Sequence, residues 1–436
     1  MKILVHDYAG HPFQVQLSRA LAARGHDVIH AFATALQTPR GELAAKPDDA
    51  PTLRLMPVEM ATDYAIHKYS FVRRRGLEVA YGKKVAALIA AERPDAVLSS
   101  NTPTETQELI FQACRAHGAH FHYWAQDFYS LAVDKLLRKK LPVVGALAGA
   151  YYRWLEGGQL RGAAGIVSIT EDFAPIMKRE FGVEAARITT IPNWAPLDSM
   201  PVQPKRNAWS ERHGLADKFV YLYTGTLGLK HNPALLLELA RRHRDNDAIR
   251  VVVISEGLGA DWLRAQTAAD PLPGLVQMGY QDFSDMPQVL AAGDILMGVL
   301  EEEAGVFSVP SKILTYLCAE RPILLAAPSV NLATRLVARE RVGMTCAPKD
   351  VAGFLDAADH LRTQNGLGAV MGRRGRAYAE KTFRIERIAA CFEEALGAPT
   401  GSARPPGTVV GLPGPARLSP HPGGPPSETG VQAMVA

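Results

Sequence analysis

Cysteine is scarce in this sequence, and the four that occur lie far apart. No two of them have C-x-x-C spacing, since they stand at Cys114, Cys318, Cys346 and Cys391. The spacing therefore indicates neither a zinc site nor a disulfide framework. We expect four reduced thiols in a cytoplasmic protein.

Long apolar runs are also missing. The longest, LPVVGALAGAYY at 141–152, is far shorter than the about 20 residues that a membrane-spanning helix needs. The N-terminal MKILVHDYAG has one lysine and a short apolar run, which predicts a first β-strand rather than a signal peptide.

The charge balance is weakly basic, and the excess lies in the first half. Lys and Arg exceed Asp and Glu by four in residues 1–195, which is the whole net charge of +4. Basic residues cluster in 73–84 and in 134–154, where Lys139 and Lys140 precede the apolar run. Basic residues beside an apolar segment favour an anionic membrane surface, with a solvated charged face as the alternative. No basic-aromatic motif accompanies them, so we expect no nucleic-acid partner.

The chain alternates β-branched apolar runs with amphipathic helical stretches, which predicts parallel sheets with crossover helices. A first series of strands, from KILVHDY to ARITTIP, is followed by the Pro-rich, polar segment 191–209. A second series runs from FVYLYTG to GMTCAP. The fold class is therefore α/β, with two Rossmann-like doubly wound domains facing across a cleft.

The domain boundaries follow from this pattern. We assign residues 1–195 to an N-terminal domain and residues 196–380 to a C-terminal domain. Residues 381–397 form a last helix, and residues 398–436 form a tail. The tail holds nine Pro and seven Gly, so we expect it to be disordered.

Two familiar nucleotide motifs are absent. The first strand ends in a turn at 6–12 that contains Gly10 but no G-x-G-x-x-G, so an NAD-type site is weakly supported. The loop YTGTLGLKHNP after the strand at 219 lacks the Walker A spacing. Its glycine Gly225, with Thr226 and Lys230, still suits phosphate, the alternative being an ordinary β–α turn.

Other strand ends carry further polar chemistry, since ligands of parallel sheets bind outside the carboxyl ends of the strands. Asp127 follows the strand HFHYWAQ and is either a cleft residue or a helix N-cap. Ser255, Glu256 and Gly257 follow a second-half strand, and Tyr280 follows the next one, where an aromatic side chain is suited to a base.

The segment VPSKILTYLCAERP, 309–322, predicts a helix whose first residue is Pro310. The free N–H groups at Ser311 to Ile313 form an anion site, and Lys312 supplies a positive charge there. Lys230 from the neighbouring loop points to the same place. Two lysines and a helix terminus suit a diphosphate.

The ordered set of GTLG-x-K, S-E-G, G-Y-x-x-F and VPSK resembles the two-domain glycosyltransferases with the GT-B fold, family 4, over residues 1–397. HDYAGHPFQVQLSRALAARGHDV and VPSKILTYLCAERPILLA carry the resemblance most specifically. Within that family the chain is most similar to the WbuB-type L-fucosamine transferases. The resemblance implies that the N-terminal domain, 1–195, binds the acceptor and that the C-terminal domain, 196–380, binds the nucleotide-sugar. It also implies that the last helix, Thr382 to Leu396, returns to the first domain.

The resemblance also implies roles for individual residues. Lys230 and Lys312 bind the leaving diphosphate, Asp127 orients or deprotonates the acceptor hydroxyl, and the first turn lies on the acceptor side. The residues implied to bind the donor are Gly225, Thr226, Ser255, Glu256, Gly257, Tyr280, Val309, Pro310, Ser311 and Thr315. Those implied to lie on the acceptor side are His6, Gly10 and His11.

One departure from the family pattern concerns ribose recognition. Many members carry two Glu eight positions apart, where this chain has Phe307 and Thr315. Glu301, Glu302 and Glu303 are upstream substitutes or, alternatively, a solvated acidic loop. We interpret the chain as a variant subgroup with Thr at this site.

The resemblance implies a retaining transfer of a sugar, such as N-acetyl-L-fucosamine or a related amino sugar, from a UDP-sugar to a lipid-linked (polyprenyl diphosphate) saccharide. The UDP-sugar is a co-substrate. We expect no other cofactor and no metal, because no D-x-D-like cluster stands at a strand end. We place the enzyme on the inner face of the cytoplasmic membrane, as a peripheral protein of polysaccharide assembly. Two alternatives stay open, a UDP-sugar epimerase and a non-catalytic pseudo-glycosyltransferase subunit.

Overall fold

The computed structural model describes residues 1–35, 41–62, 64, 70–140, 142–228, 231–302 and 311–397. The tail 398–436, which we expect to be disordered, lies outside the described residues, as do Lys230, Glu303, Phe307, Val309 and Pro310.

The first half forms a seven-stranded parallel sheet in the order β3-β2-β1-β4-β5-β6-β7. Its strands are β1 (Lys2–Asp7), β2 (Asp27–Ala33), β3 (Leu53–Val58), β4 (Ala96–Ser100), β5 (His120–Ala125), β6 (Gly165–Ser168) and β7 (Ile188–Thr190). Its helices are α1 (Pro12–Ala23), α2 (Phe71–Glu92), α3 (Thr104–His117), α4 (Tyr129–Lys140), α5 (Pro142–Gly162) and α6 (Phe173–Phe181).

The second half forms a six-stranded parallel sheet in the order β10-β9-β8-β11-β12-β13. Its strands are β8 (Phe219–Thr224), β9 (Ile249–Ile254), β10 (Leu275–Met278), β11 (Ile295–Val299), β12 (Ile323–Ala326) and β13 (Gly343–Cys346). Its helices are α7 (Ala208–Arg212), α8 (Pro233–Arg242), α9 (Leu258–Ala269), α10 (Met286–Ala292), α11 (Ser311–Cys318), α12 (Leu332–Glu340), α13 (Val351–Thr363), α14 (Leu367–Thr382) and α15 (Ile385–Gly397).

Both sheets reverse their strand order once, and the reversal fixes where a ligand can enter. The reversal falls between β1 and β4 in the first sheet and between β8 and β11 in the second. In open parallel sheets the crevice beyond the strand ends at such a reversal is the usual ligand site. The predicted α/β class with two doubly wound sheets is confirmed.

The last helix, α15, lies against the first half of the chain. The Phe392 ring lies 4.8 Å from that of Trp124, centroid to centroid, and is fully buried. Glu393 accepts hydrogen bonds from Arg24 (2.5 Å) and His26 (2.9 Å). These contacts tie the C-terminal helix to α1 and to the core of the first sheet.

Replacing Glu393 by Gln should lower the melting temperature at pH 7 by about 1–3 °C, since partly exposed ion pairs contribute about 1 kcal/mol or less. The hydrogen bonds from Arg24 and His26 outweigh burial and hold the pKa of Glu393 below its usual 4.5. The stabilisation is thus present above about pH 4.5 and is lost as the pH falls through the lowered pKa. Melting curves of both proteins should differ at pH 7 and converge in acid, and a constant difference would contradict this.

No helix among the described residues is both long and apolar enough to cross a membrane. All four cysteines are free and buried.

Candidate active site

The carboxyl end of β8 is joined to α11 by one buried tyrosine. The Tyr316 hydroxyl accepts a hydrogen bond from the Thr224 backbone N–H (2.9 Å) and donates to the Thr224 carbonyl (3.4 Å). Burial raises the pKa of Tyr316 to about 12, so the hydroxyl keeps the proton that it donates. The first turn of α11 is therefore held beside the loop that follows β8.

Lys312 lies directly over that loop. Its ammonium Nζ lies 3.6 Å from the centroid of the Tyr223 ring, a cation–π distance. A Cβ atom on Gly225 would lie 3.4 Å from Lys312 Cε and 3.5 Å from Nζ. Gly225 has φ +97°, a backbone conformation that favours glycine. The missing side chain thus leaves the backbone open beside a positive charge.

Three loops of the second sheet meet around this point. The hydroxyls of Thr226 and Tyr280 lie 2.6 Å apart. The Leu227 N–H donates to the Glu256 carbonyl (3.1 Å), and Gly257, at φ +107°, passes close to the Leu227 carbonyl. The loops after β8, β9 and β10 are therefore bound to one another, which brings the predicted donor residues together.

The remaining donor-side residues lie in the loop after β9 and in the first turns of α11. Ser255 is buried and its N–H donates to the Met278 carbonyl, whereas Glu256 is exposed. Ser311 is exposed at the start of α11, and Thr315 is half-buried one turn later on the same face. The described residues thus give the site one lysine and a helix N-terminus, together with hydroxyl groups.

One of the upstream acidic residues, Glu302, is engaged at the surface. Glu302 forms an ion pair with Lys349 at 2.8 Å, and both side chains are mostly exposed. This fits the reading of an acidic surface loop better than that of a ribose ligand.

The turn between β1 and α1 is held by a buried carboxylate, Asp7, which is not among the site residues predicted from the sequence. Asp7 Oδ1 accepts hydrogen bonds from the Gly10 N–H (2.9 Å) and from His11 Nδ1 (3.2 Å). Burial alone would raise the pKa of Asp7, but the bonds from His11 and Gly10 hold it below its usual range. Gly10 has φ +78°. Gly10 and His11 therefore shape the turn that leads into α1.

His6 lies beneath this surface rather than on it. The side chain is fully buried, with Nδ1 at 2.8 Å from Ser99 Oγ and Nε2 at 2.9 Å from the Tyr81 hydroxyl. Burial lowers the pKa of His6 to about 4, so the imidazole is neutral at pH 7. Its position supports the wall of the site, and it does not reach the surface to touch a substrate.

A cavity of about 260 Å³ opens at the reversal point of the first sheet, beyond β1, β4 and β5. Asp127 is exposed and lines this cavity. Asn101, just after β4, has φ +49°, and such strain often marks a ligand site. The other lining residues are Tyr8, Tyr64, Arg74, Glu78, Thr102, Pro103, Tyr123, Trp124, Gln126 and Tyr129.

Arg74 and Glu78 are the charged cavity residues that sequence reasoning missed. Arg74 donates to the Tyr129 hydroxyl (2.6 Å) and pairs with Glu78 (3.3 Å). The basic cluster at 73–84 favours a membrane surface by its sequence, but Arg74 lines the cavity and Arg75 pairs with Glu105 (2.7 Å). The available signal was the i,i+4 spacing of Arg74 and Glu78, which puts opposite charges on one helix face.

Comparisons with known proteins agree with this architecture. Residues 11–194 match the family model described as a glycosyl transferase 4-like domain. The probable glycosyltransferase WbjE of Pseudomonas aeruginosa is 22% identical over 234 residues, which is 53% of this chain and 58% of that relative. The match thus spans less than two thirds of the relative.

Solved structures share the fold. Alr3699/HepE of Anabaena, solved in complex with UDP and glucose, is 14% identical with a TM-score of 0.65, over 91% of this chain and 100% of that one. WaaG, a glycosyltransferase involved in lipopolysaccharide biosynthesis, is 17% identical with a TM-score of 0.65, over 92% and 100%. The chain therefore has the GT-B fold.

Proposed function

We propose that this protein is a retaining glycosyltransferase that moves a sugar from a UDP-sugar to a lipid-linked saccharide at an anionic membrane surface. One observation carries the proposal. The ammonium of Lys312 and the N-terminus of α11 converge on the open backbone at Gly225, at the reversal point of the second sheet. A helix N-terminus beside a lysine suits a diphosphate. The Anabaena structure with UDP and glucose supports the donor class.

In the proposed reaction the acceptor hydroxyl attacks the anomeric carbon. The bond from that carbon to the diphosphate oxygen breaks, and its electron pair leaves with UDP. Lys312, with Lys230 from the neighbouring loop, stabilises the negative charge where it develops. The hydroxyl proton passes to Asp127 or to the departing phosphate. Because the lysines neutralise the diphosphate, we expect no metal requirement, and chelator should leave turnover unchanged.

The specific substrates follow from the sequence resemblance. We propose N-acetyl-L-fucosamine or a related amino sugar as the group transferred, as in the WbuB-type transferases. The acceptor is proposed to be a polyprenyl diphosphate saccharide of a cell-surface polysaccharide pathway. Such a lipid stays in the bilayer, so the enzyme must work at the inner face of the cytoplasmic membrane.

The membrane contact is proposed for one face of α5. Side chains at helical spacing along it are largely exposed: Val143 (76%), Leu147 (71%), Tyr151 (43%) and Trp154 (68%). On the opposite face Glu156 is fully buried, where it accepts hydrogen bonds from Ser130 and Tyr123. An apolar helix face near basic residues suits the interface of an anionic bilayer.

Replacing Leu147 and Trp154 together by Glu should reduce retention on phosphatidylglycerol-containing vesicles at least about tenfold. Two apolar side chains would leave the lipid, and two carboxylates would meet a negative surface. Co-sedimentation with vesicles measures the effect. Trp262→Glu, at a half-exposed tryptophan of α9, is the matched control and should keep retention. Equal retention of the double variant and the wild type would contradict the docking assignment.

The function is tested by release of UDP. Purified protein is mixed with UDP-N-acetyl-L-fucosamine, UDP-GlcNAc or UDP-glucose, with and without a membrane lipid extract, and free UDP is followed. Release that depends on the extract supports a transferase with a lipid-linked acceptor. Conversion of the sugar without UDP release would indicate the epimerase, and tight UDP binding without any turnover would indicate the non-catalytic subunit.

A further inference from the structure

The cavity at the reversal point of the first sheet holds a connected polar network. The Tyr8 hydroxyl donates to Tyr64 (3.2 Å), and the Tyr64 hydroxyl donates to Glu78 Oε1 (2.9 Å). Arg74 joins the same carboxylate to Tyr129. The side chains of Tyr8, Tyr64 and Glu78 are each more than nine-tenths buried. The network therefore holds its members in fixed positions before any ligand arrives.

The charges of this cavity disfavour an anion. Among its described lining residues the charged ones are Arg74, Glu78 and Asp127. The charge of Arg74 is balanced by its partner Glu78, and Asp127 adds a negative charge. A phosphate or carboxylate would therefore meet net repulsion, whereas hydroxyl groups would find carboxylate and phenol oxygens as partners.

The size and the aromatic lining point to a sugar ring. About 260 Å³ is slightly below the range of about 300–1,000 Å³ for pockets that hold drug-sized ligands. One ring fits such a volume better than an extended oligosaccharide. Tyr8, Tyr64 and Tyr129 present rings with a polar tip, which can cover an apolar sugar face and bond its hydroxyls.

The cavity also lies beside the exposed face of α5. The rings of Tyr129, in the cavity wall, and Tyr152, on α5, have centroids 6.5 Å apart. Glu105 receives hydrogen bonds from Arg75 of α2 and from Tyr151 of α5. An acceptor whose lipid stays in the bilayer can therefore reach the cavity with the sugar at its other end.

We propose that this cavity binds one neutral sugar ring of the acceptor, the ring that receives the transferred sugar, and that Glu78 determines acceptor specificity by accepting hydrogen bonds from its hydroxyls. The assignment rests on the proposed transferase function. It gives the acceptor sugar a place of its own, apart from the diphosphate that we propose near Lys312. Burial raises the pKa of Glu78, and Arg74 and Tyr64 offset part of that effect.

Kinetics of Glu78→Gln test the proposal, because this change keeps the shape and removes the charge. The variant should lower kcat/KM for the acceptor about tenfold or more. The affinity for UDP should stay within about twofold of the wild type. Glu184→Gln, the same change at an exposed carboxylate paired with Lys178, is the matched control. Tyr129→Phe, which removes one hydroxyl, provides a second variant should Glu78→Gln fold poorly. Unchanged acceptor kinetics in a folded cavity variant would overturn the proposal, and so would a parallel loss of UDP binding.

Direct binding separates this proposal from the transferase function itself. With UDP saturating, the methyl glycosides of glucose, N-acetylglucosamine, N-acetylgalactosamine and L-fucose are compared with inorganic diphosphate by ligand-observed NMR. Binding of a glycoside to the wild type, lost in Glu78→Gln, supports the cavity assignment even if no donor in the panel is turned over. Binding of diphosphate instead of any glycoside, or of a glycoside equally to both proteins, would overturn it.

Discussion

Lys312→Ala should lower kcat by about 10²–10³-fold, which is the usual effect of removing one donor that stabilises developing charge. The Lys312 ammonium lies beside the open backbone of Gly225 and the N-terminus of α11. Without it the departing diphosphate would keep the helix terminus but lose a full positive charge. Steady-state UDP release with saturating donor and lipid extract measures the change.

Two further variants separate this loss of charge from a loss of packing. Lys312→Met keeps most of the apolar stem against the Tyr223 ring and should be as slow as the alanine variant, with a melting temperature close to the wild type. Lys381→Ala removes an exposed lysine of α14 and should leave kcat unchanged. Turnover of Lys312→Ala within about threefold of the wild type would remove the lysine from the mechanism.

Gly225→Ala should weaken UDP binding about thirtyfold and reduce stability as well. At φ +97° an alanine costs about 1–3 kcal/mol of backbone strain. Its Cβ would also stand in contact with Lys312, in the space where the diphosphate is proposed to lie. Isothermal titration calorimetry with UDP measures the affinity, and thermal melts measure the strain.

Gly25→Ala is the matched control for that experiment. Gly25, in the turn between α1 and β2, has φ +93°, but a Cβ there meets no atom within 4 Å. Both variants should therefore lose similar stability, and only Gly225→Ala should lose affinity. Equal UDP affinity in the two variants would show that the loop after β8 does not approach the diphosphate.

The sequence was most informative where the pattern is local. The strand predictions KILVHDY and FVYLYTG contain the observed β1 and β8, and the predicted helix in VPSKILTYLCAERP contains α11. Parallel strands buried on both faces read as continuous apolar runs, so their positions are visible without knowledge of contacts. The positions of residues at strand ends, such as Gly225 and Thr226, can be predicted as well, because the sheet determines which loops lie next to one another.

The charged residues Arg74 and Glu78 of the first-sheet cavity could not be predicted, for a physical reason. They lie on α2, away from any strand end, and line the cavity because α2 packs against α3 and against β1, where Tyr81 bonds His6. A basic run on a helix gives no indication of which of its side chains turns inward. His6 shows the converse error, since its place at a strand end suggested exposure, whereas Ser99 and Tyr81 hold it inside.

The donor side differs from the glycosyltransferases that the sequence resembles, because Phe307 and Thr315 stand where many of those carry paired glutamates. Phe307 lies outside the described residues, and Thr315 stands half-buried on the same face of α11 as Ser311. A threonine can offer one hydroxyl to a ribose where a glutamate would offer a charged acceptor of two hydrogen bonds. We interpret Thr315 as part of a variant donor site. The alternative is a non-catalytic protein, and measured turnover of a UDP-sugar would exclude it.

Transfer of labelled sugar into lipid tests the central claim most directly. The protein is incubated with UDP-sugars labelled in the sugar, including UDP-N-acetyl-L-fucosamine, and with membrane lipid extract, and the organic phase is then analysed. We expect label in the organic phase in an amount equal to the UDP released, with both lost in Lys312→Ala. UDP release with all the label left in water, or no release from any donor that binds, would contradict a transferase acting on a lipid-linked acceptor.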